Sequence, residues 1–479
     1  MTSEIKVNKV SDTCGSALVE KCGSNITLGT SGKTVRIACG ASTVGMGRSG
    51  TVDWCSTIYT NSPGTITAVN GKGYFINTTS GAVTVTLPGS PSVGDIIAIS
   101  DYAGTFATNA VTINNNGKKI DGTCGQAPLS NNNQAVTLVY ADATRGWKTI
   151  QSTTTVFTGT AYLCASGGNA TVTVGDYKTH IFTADGTFTV NSGSGPLATA
   201  EYLVIGSGGG GGGGPPPSGG QGGAGAGGFR HYASTPSPTT SPLVAPAGIT
   251  LSPGAIPITV GAGGTGGTAT PPAASNKGGQ GNNSIFSTIT SAGGGGGGSS
   301  SVDNPNFTGS SCGSGHCGAS GSGSAYRNPS HPGFAGGTAN VPPVSPPRGQ
   351  PGGASPVSTS PSFPGSGGGG AGAAGGNGGP PGGGTGGTGS YIADPFVGPT
   401  APSYGTPGPV SSTRYFSGGG GGGGSPPGAA GTGGGAAGGN KPGSGADGTA
   451  NTGGGAGGGG NLAGGTGGSG IVMIRYRYQ

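Results

Sequence analysis

The sequence predicts an all-β chain whose C-terminal part is a bundle of polyglycine strands, and three observations carry that reading. Gly supplies 117 and Pro 37 of the 479 residues, an excess that leaves little room for ordinary helices. The excess is concentrated, with 91 of the glycines lying between residues 206 and 479. That region nevertheless opens and closes on strand patterns, EYLVI at 201–205 and IVMIRYRY at 471–478.

Four segments follow in order. Residues 1–60 form a run of very short β-like steps broken by Gly and Ser (VNKVSDTCGSALVEKCGSNITLGTSGKTVRIACGAST at 7–43). No step is long enough to bury a face alone, so a fibrous shaft of chains wound around one another is expected. Residues 61–155 carry strand patterns at short spacing, among them GYFIN, AVTVTLP, DIIAIS, AVTIN, QAVTLVY and GWKTIQ. Turn signals at Pro88-Gly89, Asn116-Gly117 and Asp121-Gly122 separate them, which predicts a small sandwich or barrel with Trp147 in its core. Residues 156–205 are a connector. Within it KTHIFTADGTFTV at 178–190 places Asp185-Gly186 between alternating apolar residues, which predicts a hairpin.

Residues 206–479 form the fourth segment. Collagen is excluded because glycines run uninterrupted at 208–214, 293–298 and 418–424 instead of at every third position. Leu, Ile, Val and Phe number only 27 here and charged residues 11, too few for a standard core or a solvated tail. A polyproline-II strand has three residues per turn and points its N–H and C=O groups outward in three directions. Only Gly lets such strands approach closely enough to bond one another through those groups. Glycine blocks near 206–228, 261–268, 293–298, 352–389, 418–440 and 443–470 therefore predict a packed polyglycine II lattice. The segments ITLSPGAIPITV at 249–260 and SIFSTIT at 284–290 add short strands to its frame.

Composition also bounds function. A formal charge of +6 spread over the whole chain is too little to grip a phosphate backbone, so no nucleic-acid partner is expected. Residues 1–10 lack an apolar stretch of the secretory type, and the longest aliphatic runs, IIAI at 96–99 and IVMI at 471–474, are far too short to span a membrane. The eight cysteines contain no CxxC pair, and most are read as small buried thiols. GxGxxG matches in the glycine region arise from composition, since none follows a strand and opens a helix. Cys312, His316 and Cys317 are too few for a metal site, and no cofactor is expected. The glycine region offers only Asp303, Asp394 and Asp447 as carboxylates, widely separated, so a glycan-cleaving pair is not expected either.

Recognition is expected where the glycine blocks are interrupted. Phe229, Arg230, His231 and Tyr232 open the first insert. Phe307, Tyr326, Arg327 and Phe334 lie in the second, with His331 and Arg348. Tyr391, Phe396, Tyr404, Arg414, Tyr415 and Phe416 lie in the third. Aromatics with occasional Arg are enriched at recognition surfaces, and loops on a rigid scaffold commonly carry binding function. The alternative is that these aromatics pack beneath their own loops.

The stretch EYLVIGSGGGGGGG at 201–214, with GGAGAGGFR at 222–230, ITVGAGGTGG at 258–267, GGQGNNSIFSTITSAGGGGGG at 278–298 and GGSGIVMIRY at 467–476, resembles the glycine-rich domain of tailed-phage tail-fibre proteins. NITLGTSGKTVRIACGAST at 25–43 and GYFINTTSGAVTVTLPGSPSVGDIIAISDYAGTF at 73–106 resemble structural proteins of marine phages. The resemblance implies a virion tail fibre or adhesin, attached to tail or baseplate proteins through its N-terminal region. It also implies homotrimerisation and a distal glycine-rich portion that binds a cell-surface polysaccharide or outer-membrane protein. A fibre or capsid decoration protein without a receptor, a tailspike depolymerase and a bacterial surface protein are the other readings.

Overall fold

The computed structural model describes residues 9–11, 17–22, 25–28, 52–153, 162–193, 198–216, 219–234, 241–270, 276–299, 317–325, 334–355 and 364–478. The protein is all-β, as its sequence predicts. Among the described residues no helix is long and apolar enough to cross a membrane. The chain divides into two compact units, 1–51 and 52–479. In the first, strands Lys9–Ser11, Ala17–Cys22 and Asn25–Leu28 pair as an antiparallel meander.

The second unit begins with a flattened two-sheet coil. Strands Asp53–Tyr59, Lys72–Ile76 and Ile96–Asp101 lie side by side in one sheet. Strands Thr65–Thr67, Val83–Thr86 and Val111–Asn114 lie side by side in the other. The chain alternates between the sheets, and all these neighbours are parallel. Antiparallel strand Ala127–Leu129 and the hairpin Ala135–Asp142/Gly146–Ser152 close the coil. Ile66, Val85 and Ile113 from one sheet meet Ile76, Ile97 and Leu138 from the other, with Trp147 fully buried among them. Strand alternation foretells this two-sheet core but not the parallel winding, because it reports which face is buried and not a neighbour's direction. The coil begins at Asp53, so the expected division at residue 60 falls just after its first strand.

An antiparallel sandwich follows. One sheet runs Ala170–Val174, Tyr177–Phe182, Ile471–Arg477, Thr199–Ile205, Phe229–Tyr232. The other runs Cys164–Ser166, Gly186–Ser192, Gly254–Thr259, Ser284–Phe286, Ile289–Ser291. The two patterns that bracket the glycine region pair with each other, Ile205 opposite Ile471 and Ala200 opposite Tyr476. The predicted hairpin at Asp185-Gly186 does not form. Tyr177–Phe182 and Gly186–Ser192 belong to different sheets, and the turn carries the chain across the core, where Phe182 and Phe188 pack edge to face at 6.5 Å. A corner of this kind has the same local signature as a hairpin.

Beyond the sandwich the glycine strands form the expected lattice. Gly208, Gly211 and Gly214 donate to the carbonyls of Gly468, Gly465 and Leu462. Gly209 and Gly212 donate to Gly225 and Gly222, and Gly210 and Gly213 to Gly279 and Asn276. The three-residue period is that of polyproline II. The same strand accepts from Gly264 and Gly267, from Gly294 and Gly297, and from Ala456 and Gly459. It thus has six bonded neighbours. The numbering runs oppositely in the strands that accept its N–H groups and in the same sense in those that donate to it, so the lattice mixes both polarities. A Cβ on Gly211 would sit 1.9 Å from the Gly457 carbonyl oxygen, so the spacing requires glycine.

Candidate recognition surface

Lattice strands run either outward from the sandwich or back toward it, with 293–298 and 317–325 both running outward, so the lattice has a sheet end and a far end. The strand leaving Ile205 reaches the far end at Gly214, and its return, 219–228, ends at Phe229 beside the sheet. The direction of the strand leading into each insert decides where it falls.

The third insert stands at the sheet end. Its hairpin Ser390–Ala393/Thr413–Phe416 and the 3-10 turns Asp394–Phe396 and Gly398–Ser403 cover the outer face of the sheet that holds Ile471–Arg477. Ile392, Phe396, Val397 and Phe416 pack there on Ile181, Leu203, Ile205, Ile471 and Met473. Thr179 Oγ1 donates to the Phe396 carbonyl at 2.9 Å, and the Ser241 and Ser390 hydroxyls meet at 2.7 Å. Arg414 is spent within the insert, its Nε donating to the carbonyl of Tyr404 at 2.7 Å and its Nη2 to those of Pro402 and Gly405 at 3.1 Å. Tyr415 is buried, with half-buried Tyr391 against it at 5.0 Å. Tyr404 is also half-buried and packs against the same core.

The first insert joins the same core. Phe229 is 1% exposed. His231 Nδ1 donates to the Tyr202 carbonyl at 3.0 Å, and its ring meets Phe396 edge to face at 5.3 Å. Full burial lowers the His231 pKa to about 4, with a smaller push from Arg475. Arg230 Nη1 donates to the Pro346 carbonyl, and buried Arg348 Nη2 to that of Pro342. Tyr232 is half-buried beside Tyr202. Beneath the insert, buried Glu201 pairs with Arg475 at 3.3 Å, and Arg475 also lies 4.1 Å over the Tyr177 ring.

The reading of these two inserts as recognition loops is therefore corrected for their buried members. Phe229, His231, Phe396, Tyr415 and Phe416 are core residues, and Arg230 and Arg414 hold loop carbonyls. Phe307, Tyr326, Arg327 and His331 lie outside the described residues. Phe334 is half-buried and exchanges backbone hydrogen bonds with Ser355. Ser324 Oγ donates to its carbonyl at 3.1 Å.

Sequence reasoning missed the far end. There 214–216 and the turns near 378–383, 424–428, 440–443 and 460–462 are tied into one surface. Gly214 donates to Leu462, Gly383 to Pro426, Gly424 to Gly439 and Gly443 to Gly460. Pro216, Pro381, Pro426, Asn440, Pro442 and Leu462 are exposed on it. Lys441 stands among them with its pKa lowered by partial burial. Phe334 and Ser355, which flank 326–333 and 356–363, are at this end as well, since Ser355 meets Ser366 beside the bonded pair Gly365–Gly423. The missed signal was the Pro-Pro and Lys-Pro punctuation within glycine blocks.

Cys124 and Cys164 form a disulfide, so these two are not the small buried thiols expected of most of the cysteines. Cys55 is free and half-buried, and Cys317 is free and exposed. Among the described residues no group of three or more His, Cys, Asp or Glu could hold a metal ion.

The family model described as the glycine-rich domain matches residues 182–477. No curated protein matches the chain.

Proposed function

We propose, for a chain that belongs to the glycine-rich domain family, that it is a tail-fibre adhesin of a tailed bacteriophage. In this reading it is a homotrimeric virion protein that binds a bacterial surface receptor without cleaving it. One observation carries the proposal most: the far-end turns are held by a backbone lattice that does not depend on their side chains. Such turns are ordered before contact, so binding sacrifices little conformational freedom, and their sequences can vary while the scaffold persists. The resemblance of 201–214, 222–230, 278–298 and 467–476 to tail-fibre glycine-rich domains supports the phage assignment.

A structural fibre without a receptor is the second reading, favoured by the internal use of Phe396, Tyr415, Phe416 and Arg414. Antibody to the full chain separates the two. Label at fibre tips and blocked adsorption are expected of the adhesin. Label on the capsid or along a shaft, with adsorption unimpaired, would overturn it. Release of sugar from host envelopes by the purified protein would overturn the non-enzymatic assignment.

A further inference from the structure

The two-sheet coil and the sandwich have separate apolar cores, one built from residues up to Trp147 and the other from Leu163 onward. A covalent bond joins them. Cys124 lies in the loop between the Ile120–Thr123 bridge and strand Ala127–Leu129, and Cys164 opens the sandwich strand Cys164–Ser166. Their Cα atoms are 5.4 Å apart. The Cys124 N–H also points to Ser192 Oγ, at 3.5 Å, on the strand that pairs with Cys164. Both cysteines are half-buried, so small thiols and oxidants reach them.

We propose that Cys124 and Cys164 form a redox clamp that sets the orientation of the coil relative to the sandwich. The inference goes beyond the adhesin reading and does not depend on it. In a reducing compartment the pair exists as two thiols, and the coil is restrained by chain connectivity and weak polar contacts. Oxidation by molecular oxygen removes one proton and one electron from each thiol. The S–S bond forms as oxygen is reduced to hydrogen peroxide. The bond closes a loop with a sequence separation of 40 that contains the coil's last hairpin, so oxidation fixes both that hairpin and the junction.

The test uses the full chain with non-cysteine spin labels at exposed Val93 on the coil and exposed Ala184 on the sandwich. The expected result is a narrow distance distribution in air-oxidised protein that broadens at least twofold on reduction. Cys124→Ser should be broad in both conditions. Mass spectrometry of oxidised protein should show the linked peptides protected from iodoacetamide. A distribution unchanged by reduction would overturn the clamp, as would alkylation of both cysteines in oxidised protein. Because the first comparison uses unmutated cysteines, a folding defect in the variant cannot mask the outcome.

Discussion

At the scale of single residues, the lattice makes glycine substitutions sharply position-dependent. Gly211→Ala would press a methyl against the Gly457 carbonyl at 1.9 Å, where backbone on every side blocks relaxation. A loss of about 3 kcal/mol or more is expected, at the upper end of overpacking costs, visible as a lowered thermal midpoint. Gly379→Ala, in a far-end turn with nothing within 4 Å of the added carbon, should be neutral or stabilise by up to about 1 kcal/mol through the unfolded chain. Equal effects at the two sites would contradict the lattice. His231 supplies a second residue-level prediction. Its native pKa, near 4, lies below the ordinary value of about 6.5. The unfolded chain therefore binds the extra proton first, and stability should fall as pH drops from about 6.5 to about 4, by a total of roughly 3 kcal/mol. His231→Gln should flatten that part of the profile in urea titrations. His180, also shifted down by burial, adds a slope of the same sign that the variant leaves in place.

At the scale of elements, the insert 390–416 acts as a cover for a sheet. Phe416 is wholly buried and Tyr415 nearly so, and Arg414 satisfies three carbonyls of the 402–405 turn. Changing Tyr391, Tyr404, Arg414 and Tyr415 together to Ala should therefore destabilise the insert and expose Leu203, Ile205 and Met473. Increased binding of an apolar dye and earlier unfolding are the expected readouts, and a variant with native stability and dye binding would refute the packing role. The sequence could not foretell this. Its strands and its glycine strands were legible because composition and alternation dictate them. Whether Phe396 or Tyr415 faces water depends on an apolar sheet face left open by Ile205, Ile471 and Met473. Local pattern assigned those residues to strands without showing which face would remain to be covered. The corner at Asp185-Gly186 was missed for a related reason, since a turn signal does not say whether the next strand joins the same sheet.

At the scale of the whole molecule, an insert's position follows from the direction of the strand that leads into it. A strand running outward from the sandwich delivers the chain to the far end, and a returning strand delivers it to the sheet end. Since 293–298 and 317–325 both run outward, the direction of the preceding strand decides, not the number of strands. The aromatic-rich segments 229–232 and 390–416 fall at the sheet end, and the Pro-rich turns at 380–381 and 426–427 fall at the far end. Cohesion through backbone bonds, each contributing a net of about 1 kcal/mol, requires many mutually bonded strands, and the strand at 206–214 has six such neighbours. Two consequences can be read in one pair of measurements. Amide exchange at 206–214 and 219–228 should be as slow as in the sandwich strands, because opening one strand breaks bonds to all its neighbours. Replacing residues 380–381 and 425–427 by Ser and Gly at constant length should leave that protection intact, since the turns hang on the lattice and do not hold it. If recognition resides at the far end, the same replacement should reduce adsorption of virions carrying the protein at least tenfold. Protection retained with adsorption unchanged would remove these turns from the recognition surface. Protection lost throughout the glycine strands would show instead that the turns help to build the lattice, and the separation of scaffold from recognition would fail.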